Sequence, residues 1–222
     1  MLRTLGAVRG LRRLEGFSDA VFAIALTLLV VEIQPPGSPD GPAVGPSLWL
    51  AIAAQWREHL AVLVCFLAIG VYWLQHHHVG RIYVHSDHAF GAINLGFLMG
   101  VMSIPYPVRI WAYNVGTQHE AEASLVLTIG LMVPALFWMG KWLYGRPRTI
   151  MDERLAPDFL RQMTWRYSTA ALLTVAAVPL ALVAPRAAVV LTLSVLLYFL
   201  LPQPSPRYRP GMEPEETKVS TE

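Results

Sequence analysis

The residues best placed to do chemistry in this sequence stand together near its start. Ser18 and Asp19 put a hydroxyl and a carboxylate at the start of a run, Phe17 to Ile33, that is otherwise apolar but for Thr27 and the closing Glu32. A carboxylate in such a run is costly to bury and calls for a partner. Arg13, six residues earlier, shares a helix face with Phe17 but projects about 120° away from Asp19. Asp19 therefore meets its partner on another helix, or else Ser18 and Asp19 cap the start of a helix, a position that suits both residues. Beyond them Ile24, Thr27, Leu28 and Val31 recur at i, i+3, i+4 and i+7, on one face. Such a stripe serves helix packing, or it lines a narrow pore. In a pore the branched side chains form a constriction that dewets, and Thr27 offers an oxygen to a partly dehydrated ion. Spacing alone does not choose between the two.

A second cluster is His76, His77, His78, His85 and His88. Imidazoles bind Zn²⁺ and titrate near neutrality. Consecutive helical positions point about 100° apart, however, so only one or two rings converge on one ion and no metal site is expected. Ser-x-x-Lys, His-Glu-x-x-His, Gly-x-Ser-x-Gly and phosphate-cradling loops are absent from the sequence, so neither an enzyme nor a resident cofactor is expected. The one cysteine, Cys65, lies in an apolar run and reads as a small buried hydrophobe.

The elements that position these groups are set by composition. Of the 222 residues, 55% are hydrophobic and only 14% charged, against roughly 25% charged in soluble domains. The chain reads as an all-α integral membrane protein, and its net charge of +2 gives no reason to expect a nucleic-acid partner. Six spans are predicted: Phe17–Ile33, Ser47–Trp73, Ala89–Trp111 (interrupted by Asn94, Pro105 and Pro107), Ser124–Tyr144, Thr169–Ala184 and Ala187–Leu201. The last two are short and joined tightly through Pro185, as a bent hairpin. Arg9, Arg12 and Arg13 precede the first run as they would in a leader. Ser18 and Asp19 interrupt that run and no small-residue cleavage site follows, so it is read as a span. With the start of the chain in the cytoplasm, all but Arg57, Arg109 and Arg186 of the 17 basic residues fall on the inner side. The positive-inside rule then puts both termini in the cytoplasm of a multi-pass protein of the cell membrane. Residues 1–201 form the membrane domain. Gly145–Arg166 reads as a solvated amphipathic connector, and 202–222, rich in proline and charge, as a disordered cytoplasmic tail.

The stretch RLEGFSDAVFAIALTLLVVEI, from Arg13 to Ile33, resembles the signature of the transmembrane-protein-175 family of potassium channels in its single-repeat prokaryotic form. Arg13, Phe17, Ser18 and Asp19 match the Arg-x-x-x-Phe-Ser-Asp core. Trp73-Leu74-Gln75-His76 is similar to a Trp-x-x-His that ends the family's second helix. Asp87, Asn94-Leu95 and Pro105-Tyr106 are similar to its third. The resemblance implies a six-helix protomer, a homotetramer in the lipid bilayer, and a central pore lined by the first helix of each subunit, with K⁺ as the permeant ion. It places the narrowest point at Ile24 and a hydroxyl layer at Thr27, with Leu28 and Val31 continuing the ion pathway. Arg13, Phe17, Ser18, Asp19, Trp73, His76 and Asn94 become a polar network that holds the pore helices in register.

The function expected is passive, potassium-preferring cation conduction. A proton-coupled secondary transporter using Asp19 and the histidines is the alternative, weakened by the lack of repeated or broken spans. A membrane enzyme or metal-binding protein built on the histidine cluster is a further one.

Overall fold

A computed structural model describes residues 2–214, with side chains described from Gly10 onward. Among these residues there are eight helices and no strand: α1 Leu2–Val31, α2 Leu48–Ala54, α3 Trp56–Gly80, α4 His88–Ser103, α5 Pro105–Asn114, α6 Glu120–Gly145, α7 Pro157–Val183 and α8 Pro185–Tyr198. Five segments are long and apolar enough to cross a membrane, namely α1, α3, α4 with α5, α6 and α7; α8 is apolar but shorter. The chain is an all-α, multi-pass membrane protein.

Crossings alternate in direction. One end of the molecule brings together Gly10 with Ser86, Gly80 with Glu15, and Tyr83 with Met151. The other end joins Gln34 to Gln55, Glu32 to Arg109, Arg57 to Val115, and Glu120 to Arg186. The chain goes back and forth six times, so α1 starts and α8 finishes at the same end.

Several expected boundaries move, each for a local reason. The second crossing starts at Trp56, not Ser47: Gln55 leaves the helical path, and α2 is a separate short helix outside it. Arg57, Glu58 and His59 thereby become the first turn of α3. The third crossing breaks at Ile104 because Pro105 and Pro107 have no N–H to carry the helix on, and both fit the first turn of α5. Pro107 then packs directly on Gly130 of α6, where an added Cβ would stand 2.4 Å from its ring. Gly100 of α4 similarly presses on the backbone of Pro134 in α6. Without the pull of water, membrane helices gain by such close approach of small residues.

The fifth crossing is not short. α7 starts at Pro157, and its charged first turns bury Phe159, Met163 and Tyr167 on one face. The expected solvated connector is therefore two things: residues 146–156 and the start of α7. Ile150, Met151 and Leu155 are buried, and the Asp152 N–H donates to Ile82 and the Val84 N–H to Ile150. The tail expected to be disordered from 202 onward is held in its described part, with Ala156 N–H donating to Arg207 and Arg209 N–H to Arg154, each at 2.8 Å. Residues 215–222 lie outside the described residues.

Candidate ion pathway and its buried anchor

α1 runs through Ser18 and Asp19 without interruption, so these residues do not cap a helix start. Ser18 is fully buried, and its hydroxyl donates to the Leu14 carbonyl at 2.8 Å. At about 100° per residue, Leu11, Ser18, Phe22 and Leu29 fall within an arc of about 40°, and all four are buried. Phe22 packs against the His76 and Phe97 rings. This face holds α1 against α3 and α4.

The opposite face is bare. Ile24, Leu28 and Val31 are 56%, 54% and 72% exposed, and Thr27 is exposed between them. Ala20 and Ala23 extend the same face toward Phe17. Only 17% of the crossing stretch of α1 is buried, against 44% for α3. The Thr27 hydroxyl donates to the Ile24 carbonyl at 3.0 Å, so its proton is engaged and its oxygen remains an acceptor. The structure thus brings the four stripe residues together on one unpartnered strip.

The seven residues expected to form one polar network divide into three groups. Asn94 donates to the Ser18 hydroxyl at 3.0 Å, and both are buried. His76, also buried, is joined to Asn94 through a residue absent from the expected set, Lys141 of α6. The Lys141 ammonium donates to Asn94 Oδ1 at 3.1 Å and lies 3.4 Å from His76 Nδ1. It also sits 4.6 Å and 5.0 Å over the Trp138 and Phe97 rings. Ring faces are negative, so they stabilise a desolvated cation. In the second group the Trp73 indole N–H donates to Asp19 Oδ1 at 3.2 Å on the exposed edge of α1. Arg13 and Phe17 stand apart: both are exposed, and Arg13 makes no hydrogen bond or ion pair among the described residues.

Lys141 was counted in the sequence as an inner-side cation at the end of a span. It is only 2% exposed. The signal was there, since a lone ionisable residue in the apolar run FWMGKWLYG calls for a buried partner. Around it a narrow cavity is lined by Leu11, Glu15, His76, Phe90, Asn94 and Lys141 among others. The Nε2 of His76 is buried with no hydrogen-bond partner among the described residues. At its far end α1 is secured by the ion pair of Glu32 with Arg109. Asp87 caps α4, accepting from the Phe90 N–H at 2.7 Å. Among the described residues no group of three His, Cys, Asp or Glu is placed to hold a metal.

Three comparisons bear on this geometry. The family model described as endosomal/lysosomal potassium channel TMEM175 matches residues 13–105, which include the whole expected site and exclude Lys141. A potassium channel of Streptomyces collinus is 34% identical over 162 residues, covering 72% of this chain and 77% of that one. A potassium channel of Chamaesiphon minutus is 38% identical over 126 residues, covering 56% and 61%. The crystal structure of a lysosomal potassium-selective channel TMEM175 homolog from Chamaesiphon minutus superposes with a TM-score of 0.72 at 28% identity, over 87% of this chain and 97% of that one. With the same helical fold and a relative 34% identical that is matched over 77% of its length, this chain belongs to the TMEM175 potassium-channel family.

Proposed function

We propose that this chain is one subunit of a homotetrameric, potassium-preferring cation channel that conducts passively through a central pore lined by α1. The observation that carries the proposal is the bare face of α1. A helix that is apolar on all sides but packed on only one needs a second surface, either lipid or copies of itself. Lipid would accept the apolar residues of this strip. Four copies around an axis would instead give rings of Ile24, Thr27, Leu28 and Val31. The Ile24 ring is the narrowest point and gates by dewetting, while the Thr27 oxygens, with their protons turned inward to the helix, face the ion. The names carried by the relatives favour the pore.

In this reading the opposite face supplies register. Ser18, Asn94, Lys141 and His76 fix the depth and rotation of α1 from within the subunit, and Asp19 with Trp73 fixes its edge. Arg13 and Phe17, being exposed, are left to act between subunits. The gathering of basic residues at one end supports a reading in which that end, with both termini, faces the cytoplasm at the cell membrane.

Flux through purified protein in liposomes tests the proposal. K⁺ passes down its gradient with no coupled ion, and Ile24→Asn changes the conductance. Flux that runs only with a proton gradient makes the protein a coupled transporter and overturns the proposal. So does a stable monomer as the conducting species.

A further inference from the structure

An open groove of about 470 Å³ runs between α7 and α8. Its walls are apolar side chains, Leu173, Leu191 and Val195, with the small polar Thr169 and Ser194 among them. Trp165 and Tyr198 flank its entrance, and Trp165 is 70% exposed. Aromatic residues of this kind sit at the level of lipid headgroups. The entrance lies at the basic end of the molecule, one helical stretch in from the start of α7.

Arg166 stands at the same entrance, its guanidinium 4.9 Å over the Tyr198 ring. It is in no ion pair among the described residues, and its Nε is buried without a hydrogen-bond partner. Arg166 thus stands as a cation without an ion-pair partner at the mouth of an apolar groove, with no carboxylate among the residues that line it. The acid on the same helix, Asp158, is taken up by Arg207 at 3.1 Å. A cation at the headgroup level, open to an apolar groove, matches a molecule with a phosphate at one end and a hydrocarbon chain at the other.

We infer that the groove between α7 and α8 is a binding site for an anionic phospholipid of the surrounding bilayer. Arg166 binds the phosphate, and one acyl chain lies along Thr169, Leu173, Leu191 and Val195. The site shares no residue with the proposed pore, so it stands or falls independently of conduction. The charge selects an anionic headgroup, and the groove makes the ligand a lipid instead of a free anion.

Native mass spectrometry of the delipidated full chain, given phosphatidylglycerol or phosphatidylcholine with identical chains, tests the assignment. The protein retains phosphatidylglycerol in preference. Arg166→Gln weakens retention by about tenfold, the loss of one charge-assisted contact, and Arg166→Lys restores part of it. Leu173→Trp fills the groove and lowers retention without touching the charge, so the assignment does not hang on one variant folding. Arg161→Gln, on an exposed position of the same helix, changes nothing. Equal retention of the two lipids overturns the inference, as does an Arg161→Gln effect as large as that of Arg166→Gln. Release of bound phosphatidylglycerol by inorganic phosphate alone assigns the site to a free anion and also overturns it.

Discussion

The two faces of α1 are made from the same few residue types yet do opposite things. One face, Leu11, Ser18, Phe22 and Leu29, is buried against α3 and α4 and fixed by Asn94. The other, Ile24, Thr27, Leu28 and Val31, is left exposed among the described residues. Hydrophobicity does not distinguish them, since each is three apolar residues and one hydroxyl. The hydroxyl environment does. Ser18 both donates to its own helix and accepts from Asn94, so it is fully used. Thr27 donates to its own helix and accepts from nothing, so its oxygen remains for another ligand.

Substitutions on the two faces should therefore separate stability from conduction. Phe22→Ala gives the largest loss, about 4 kcal/mol of unfolding free energy, read as thermal unfolding in detergent. If Ile24→Ala costs as much, the two faces are not different. Asn94→Leu follows at about 2 kcal/mol, because it takes from the buried Lys141 ammonium its oxygen acceptor; recovery in the Asn94→Leu, Lys141→Met double variant would show that the under-satisfied cation causes the loss. Thr27→Val leaves unfolding within about 0.5 kcal/mol of the parent yet alters single-channel conductance, and an unchanged conductance would remove Thr27 from the ion pathway. Glu32→Gln has a smaller effect, about 0.5 kcal/mol, as an exposed pair with Arg109.

The smallest effect concerns the basic end, away from either face. The Arg154 side chain, which donates to Asp152 at 2.7 Å, holds that carboxyl below the usual carboxylate range, although burial pushes it up. A carboxyl with a depressed folded-state pKa stabilises fully above its unfolded value of about 3.9, and the contribution is lost as pH falls through the folded value. Hydrogen exchange at Ala156 and Arg209, corrected for its intrinsic rate, should rise over that acidic window and not above it. Asp152→Asn should abolish the step.

Much of this was legible in the sequence, and what was missed has physical reasons. The stripe on α1 was readable because 3.6-residue periodicity survives in any long helix. The start of α7 was missed because charge dominates a segment average, although Phe159, Met163 and Tyr167 recur every four residues there. Lys141 was read by its distance from the end of a span, whereas its partners Asn94 and His76 come from other helices that no local pattern connects to it. The hold on residues 207–209 is made in part by backbone groups, which leave no trace in residue type, and in part by the Arg207 side chain on Asp158, a partner distant in the sequence.

That last contact has a consequence for the order of events in biogenesis. Ribosomal synthesis runs from the N-terminus, so Arg207 and Arg209 emerge about fifty residues after the strip at Arg154–Ala156 that they complete. Until then Ile150, Met151 and Leu155 can be covered only on the Tyr83 side. The basic end of the subunit is therefore closed last, after all six crossings exist. A chain stopped short of Arg207 should carry its helices into the membrane and leave that seam unsealed, a state that proteases acting from that side would find first.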